Sequence, residues 1–300
     1  MHADELDIDE GLVRRLVAGQ FPQWAELDVE LVATAGTSNA MYRLGGDMVV
    51  RLPRIAAAGE DIAKERVWLP RLAPSLPVPV PVPLGIGGPV ADYPLPWSVL
   101  RWLDGANPVV GRIVQPAVLA ADLASFVRAL HAVDPAGGPA SYRSETLAER
   151  DGAVRAALAR LGGTVATEAV SSEVVAAEVV AAVWDDAVHA PGPSGPPVWI
   201  HADLQPGNLL VADGRLSAVI DFGCAGLGDP AVDLLPAWYV LPAGARDAFR
   251  EAVRADDAAW ARGRGWALSV ALLELDYYRD TNARMASIAR HVLGEVLAGA

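Results

Sequence analysis

The chain has 300 residues, 52% hydrophobic and 20% charged, enough apolar mass for a sizeable core and too little charge for a largely disordered chain. Its 37 acidic and 24 basic residues leave a net charge of -13, which disfavours a nucleic-acid partner that needs a basic face. The single cysteine, Cys224, excludes an internal disulfide framework or a cysteine zinc cluster and points to a reducing cytoplasm.

The acidic N-terminus does not read as a signal peptide. The longest apolar stretch, residues 173–186, is broken by Glu173, Glu178, Asp185 and Asp186, so no membrane span is expected. Residues 9–18 read as a short helix opened by Asp9. Three short β-like runs follow, 29–36, 40–46 and 48–54, separated by the turn signals GTSN and GGD. Residues 59–73 change to helical spacing, with Ile62, Glu65, Trp68 and Leu72 in step. The stretch PSLPVPVPVPLG, 74–85, carries too many prolines for a helix and reads as a stiff connector. A further strand ends at Asp104-Gly105. Beyond it the pattern is helical: 116–134 has an apolar face of Leu119, Leu123, Phe126, Val127 and Leu130, and 147–161 and 171–188 follow. Short strands are expected near 198–200, 208–212 and 215–220, the last two joined by the hairpin signal Asp213-Gly214. From 247 to the end the pattern is helical again. The outline is α+β: a small β-rich lobe, residues 1–103, and a larger helical lobe, 104–300, that carries one hairpin.

The chemistry concentrates in HADLQPGN, residues 201–208, and VIDFG, 219–223. Together they spell D-x4-N, hairpin, D-F-G. A hairpin brings its two ends together, so the Asn208 amide and the Asp221 carboxylate face one point. Such hard oxygens suit Mg2+, which keeps waters and phosphate oxygens as its other ligands. Asp203 is then a carboxylate near the metal, able to accept a hydroxyl proton, the arrangement that phosphoryl transfer needs. The competing reading of Asp203 is a simple turn cap. His201 reads as a loop-holding residue, His131 as a packed or capping histidine, and Cys224 as core. Trp238, Tyr239, Glu274, Asp276, Tyr277 and Tyr278 are candidates to line an acceptor site, since aromatic faces and carboxylates suit cationic sugars, and helix-core packing explains the aromatics equally well.

The motif set partly matches the protein-kinase catalytic loop, and it more closely resembles the aminoglycoside phosphotransferase family. The matching pieces are HADLQPGN, VIDFG, the G-D-P-x-x-D-L element from Gly228 to Leu234, the LPVPVP connector and VRALHAVD. The resemblance implies a bilobal protein-kinase-like fold. It implies transfer of the γ-phosphoryl of ATP or GTP, with Mg2+, to a hydroxyl of an aminoglycoside or other hydroxylated antibiotic, a small and cationic acceptor. On that resemblance Asp203 orients or deprotonates the hydroxyl, and Asn208 and Asp221 hold the metal. Thr37, Ser38 and Asn39 sit where the phosphate loop lies, and Arg101 and Leu103 where the adenine is met. The usual lysine of the third strand is replaced by Arg51, whose fork suits both Glu65 and phosphate. Asp229 and Asp233 are expected to anchor the loop after D-F-G, and Asp233 is also a candidate for the acceptor side. A metabolic kinase for a choline-, sugar- or amino-alcohol-like hydroxyl remains open, as does a nucleotide-binding pseudoenzyme. Monomer and homodimer are equally open.

Overall fold

The computed structural model describes residues 6–32, 38–161, 164–166 and 174–298. The chain forms two compact units. The first takes Met1–Ala106, Gly207–Ala212 and Ser217–Gly223, and the second Asn107–Pro206, Asp213–Leu216 and Cys224–Ala300. The division drawn from the sequence at 103/104 thus differs at the hairpin, most of which clusters with the first unit.

In the first unit, helix α1 (Glu10–Gln20) starts where the Asp9 side chain accepts the Leu12 N–H at 2.7 Å. It stops at Phe21, because Pro22 follows and disfavours helical geometry before it. Its face of Leu12, Val13, Leu16 and Val17 is buried. The sheet consists of β1 (Val29–Leu31), β2 (Asn39–Leu44), β3 (Met48–Pro53), β4 (Pro83–Gly87) and β5 (Trp97–Arg101), in the order β1-β2-β3-β5-β4. Alternate residues Ala40, Tyr42, Leu44, Met48, Val50, Leu52, Trp97 and Val99 join the α1 face in one core. Each large side chain buried there is worth about 1.5–3 kcal/mol. Two tyrosines in it satisfy their hydroxyls on backbone carbonyls, Tyr42 on Ile8 at 2.8 Å and Tyr93 on Pro53 at 2.6 Å. Arg51 alternates out of this core, and the antiparallel register places it opposite Ser98. Helix α2 (Ala56–Leu72) buries Ile62, Glu65, Leu69 and Leu72.

Strand β4 corrects the reading of 74–85 as connector throughout, since Pro83 to Gly85 already pair with β5. Proline is tolerated there because β4 is an edge strand, with one side of its ladder unused.

The second unit contains α3 (Pro116–His131), α4 (Leu147–Arg160), β6 (Thr164–Ala166), β7 (Val174–Ala176), α5 (Ala177–His189) and β8 (Val198–Ile200). The helix expected from 171 therefore begins only at 177, and Val174–Ala176 pairs with β6, as its β-branched valines favour. Helix α4 opens with a capping box between Thr146 and Glu149. The hairpin is β9 (Leu209–Ala212) and β10 (Arg215–Val219), joined by Asp213 at φ 51° and Gly214 at φ 77°, the two positive angles of a tight primed turn. Then come β11 (Gly226–Gly228), which pairs with β8, and α6 (Pro236–Tyr239), α7 (Ala243–Val253), α8 (Asp257–Tyr278) and α9 (Ala283–Leu297). Helix α3 packs on α7, and α8 packs on α4, α5 and α9. Among the described residues no helix is long and apolar enough to cross a membrane.

Candidate active site

The first unit supplies a cluster of charges. Arg51 and Glu65 form a buried two-pronged ion pair: Nη1 donates to Oε1 at 3.1 Å and Nη2 to Oε2. Burial opposes the Arg51 charge, but Glu65, and then Asp221 and Asp61, hold its proton more tightly than usual. With both terminal nitrogens turned to Glu65, the buried Nε is left with no partner among the described residues. Lys64 Nζ donates to the carbonyl of Gly223 and lies 3.8 Å from Asp61. Burial, reinforced by Glu65 and Asp221, pushes the Asp61 carboxyl up to about 6 against the pull of Lys64 and Arg51. The Ile220 N–H donates to the Asn208 carbonyl at 2.9 Å, closing the open end of the hairpin between Asn208 and Asp221. Asp221 takes a left-handed backbone, φ 61°.

Asn208 and Asp221 offer an amide oxygen and a carboxylate. Among the described residues no three His, Cys, Asp or Glu side chains gather into a metal cage. Two hard oxygens near one hairpin end are the donor types that suit Mg2+, which takes the rest of its shell from water and phosphate. Ser38 gives its carbonyl to the Arg54 N–H at 2.8 Å, and the buried Asn39 Oδ1 has no partner among the described residues. Thr37 lies outside the described residues. Arg101 is exposed and pairs in register with Met48; Leu103 is half-buried.

The second unit supplies the loop after β8. Its backbone is pinned by Asp233, which is fully buried and accepts the Ala202 N–H at 2.8 Å and the His201 N–H at 3.0 Å, with His131 Nε2 at 3.1 Å. His201 Nδ1 accepts the Asp203 N–H at 3.2 Å. Arg143 Nη1 donates to the Ala202 carbonyl and, at 2.8 Å, to Asp203 Oδ1. Gln205 Nε2 donates to the same Asp203 oxygen at 3.1 Å and to Glu274 Oε1 at 2.7 Å. Tyr239 donates to the other Glu274 oxygen at 3.1 Å. Burial chiefly, with the Asp203 charge, pushes the Glu274 carboxyl up to about 7, although Gln205, Arg143 and Tyr239 favour its ionised form. Asp229 caps the turn at Ala231 and receives both Nε and Nη2 of Arg262 from α8.

Of the residues expected to line an acceptor site, two do not present themselves. Asp233 spends its carboxylate on the backbone of the loop after β8, and Trp238 is buried with its ring 4.8 Å from that of Trp260. Tyr277 is 56% exposed, and Glu274 is half-buried with both oxygens engaged. Cys224, expected in the core, is half-buried, and its carbonyl accepts from Ser141 and Tyr142. Sequence spacing gave no sign of Arg143, Gln205 or Tyr239 as partners. Arg143 stands in an unpatterned loop 60 positions from Asp203, whereas Gln205 lies two residues after it.

A family model described as the phosphotransferase enzyme family matches residues 30–266. The chain belongs to that family. No curated protein sequence matches it significantly. Among solved structures, the GDP complex of aminoglycoside 2'-phosphotransferase-IIIa is 20% identical, with a TM-score of 0.71 over 97% of this chain and 99% of the other. The GDP and kanamycin complex of APH(2")-IIIa is likewise 20% identical, with a TM-score of 0.71 over 96% and 98%. Macrolide 2'-phosphotransferase MphH from Brachybacterium faecium is 26% identical, with a TM-score of 0.59 over 94% and 97%. The fold of this phosphotransferase is therefore the kinase-like one, a β-sheet region followed by a helical region.

Proposed function

We propose that this phosphotransferase moves the γ-phosphoryl group of ATP or GTP to a hydroxyl of an antibiotic, an aminoglycoside or a macrolide, and so confers resistance. The observation that carries the reading is Asp203: its carboxylate is held by Arg143 and Gln205, five residues before Asn208. In this reading Asp203 accepts or orients the proton of the attacking hydroxyl. Asn208 and Asp221 would hold Mg2+, which when bound offsets phosphate charge. The Arg51 guanidinium, with its unpartnered Nε, would meet the phosphates in place of a lysine. Little covalent help is needed, because the loose transition state asks mainly for positioning and charge stabilisation. The antibiotic acceptors are supported by the kanamycin complex and the macrolide phosphotransferase among the similar structures.

The test is a nucleotide-turnover assay with Mg2+ and ATP or GTP over a panel of aminoglycosides, macrolides and small amino alcohols, with mass analysis of each acceptor. A gain of one phosphoryl group on an antibiotic is the expected result. Gain on an amino alcohol alone would overturn the antibiotic assignment. Asp203→Ala should abolish transfer and spare nucleotide binding, whereas Asp221→Ala should weaken Mg·nucleotide binding as well.

A further inference from the structure

The reading of Asp203 leaves Gln205 unexplained. Its side chain is 8% exposed and stands between two carboxylates, Asp203 on its own loop and Glu274 on α8. Ionised carboxylates only accept hydrogen bonds. A buried uncharged side chain that serves one on each side must give two hydrogens, and the glutamine amide nitrogen carries both. Neutral histidine has one N–H, leucine has none, and glutamate would add a third acceptor. The amide is in turn held from behind, because Tyr239 fills the second oxygen of Glu274. The turn itself folds Gln205 back, with its backbone N–H on the Asp203 carbonyl at 2.8 Å.

We propose that Gln205 is a positioning residue for the Asp203 carboxylate, and that Glu274, braced by Tyr239, fixes Gln205 in that place. This rests on Asp203 acting on the acceptor hydroxyl. Arg143 and Gln205 both donate to the same Asp203 oxygen, and two donors on one oxygen restrict the rotation of the carboxylate more than one does. Glu274 thus acts through Gln205, not as a contact for the acceptor.

The experiment compares Gln205→Leu, Glu274→Leu, Glu274→Gln, the double Leu variant and Asp203→Asn. Each is assayed for transfer to kanamycin and to a macrolide, and crystallised. Gln205→Leu and Glu274→Leu should each lower kcat about 10- to 100-fold, the scale of a misplaced catalytic group, with nucleotide KM within about twofold. The double variant should be no worse than the worse single, since the residues act as one unit. Glu274→Gln keeps an acceptor for the Gln205 amide and should restore most of kcat. In the crystals, the Asp203 carboxylate should leave its wild-type plane in both Leu variants. An unmoved carboxylate, an unchanged kcat in Gln205→Leu, or multiplicative losses would overturn the proposal. So would Glu274→Leu raising acceptor KM alone, which would mark Glu274 as an acceptor ligand. If Asp203→Asn is inactive while Gln205→Leu is normal, only the positioning role falls. Full activity in Asp203→Asn would remove the reading of the base and this role with it. If neither compound is phosphorylated, the crystal comparison decides.

Discussion

Asp233 holds Ala202 by a 2.8 Å hydrogen bond at a point where the backbone turns left-handed, φ 67°. A non-glycine residue kept in that region costs on the order of 1–3 kcal/mol and persists only where its surroundings over-determine it. The second Asp233 oxygen takes the His201 N–H, so one buried carboxylate fixes both residues before Asp203. Asparagine there would turn an NH2 group toward one of two N–H donors. Asp233→Asn should therefore lower stability by about 1–3 kcal/mol and reduce kcat more than nucleotide affinity. Adding Ala202→Gly should recover part of the stability by removing the backbone strain. Urea titration of wild type and the two variants checks this; equal midpoints for wild type and Asp233→Asn would end the argument.

The Arg51–Glu65 pair is buried on both sides, with side-chain exposures of 7% and 1%. Removing one partner leaves the other charged and unpaired in the interior, at a cost of about 3–5 kcal/mol. Arg51→Met should be strongly destabilised, and Arg51→Met/Glu65→Leu should regain much of the loss because no lone charge remains. Arg51→Lys offers three donors on one nitrogen in place of a planar fork. It should retain more stability than Arg51→Met and change the Kd for Mg·nucleotide by several-fold. Calorimetric binding and chemical denaturation separate the two effects. A double variant less stable than Arg51→Met would show that the pair itself is favourable.

Much of the fold is legible because its signals are local. Asp9 caps the residue three ahead of it, Asp213-Gly214 supplies two positive φ angles, and period-2 alternation marks β2. The failures are also physical. Pro83–Gly87 forms a strand because an edge position does not need a donor from every residue and so tolerates proline's missing N–H, and Val174–Ala176 leaves the helical pattern to pair with β6. Among the proposed site residues, Asp203, Asn208 and Asp221 stand out by their spacing, since each lies in a short contiguous motif. What they meet does not. Arg143 and Glu274 reach the loop from segments tens of residues away, with Tyr239 behind Glu274, and no period in the sequence records a side chain crossing that distance.

Glu274 gives the stability a pH signature. Its carboxyl is raised to about 7 in the folded protein, above the ordinary value of 4.5 that it regains on unfolding. The unfolded state therefore releases this proton first as pH rises. The contribution is fully present below about pH 4.5 and is lost as pH rises through about 7. Glu274→Gln does not titrate at this position. Its stability relative to wild type should therefore improve between pH 5 and pH 8, most steeply near about 5.5–6, midway between the two values. Urea midpoints of the two proteins across that range test it. A difference that is constant with pH would mean that Glu274 ionises at its ordinary value.

Gly105 sits just after β5 at φ 136°, a region that side chains rarely enter. A Cβ there would lie 2.5 Å from Ser217 Oγ and 3.0 Å from Leu210 Cβ, in the hairpin to which Ala106 also binds through paired hydrogen bonds with Val211. Two separate costs are thus combined at one position, backbone strain and collision. Gly105→Ala should lose about 1–3 kcal/mol from the backbone alone, and more from the contact. Ser217→Ala removes the nearest obstacle together with its hydrogen bond to the Asp104 carbonyl. In the Gly105→Ala background it should be less harmful than in the wild type, and the double variant should still fall well short of full stability. A double-mutant cycle of denaturation midpoints measures this coupling. Zero coupling would mean that the chain shifts away from Ser217, and a fully restored double variant would mean that the backbone angle itself carries no strain.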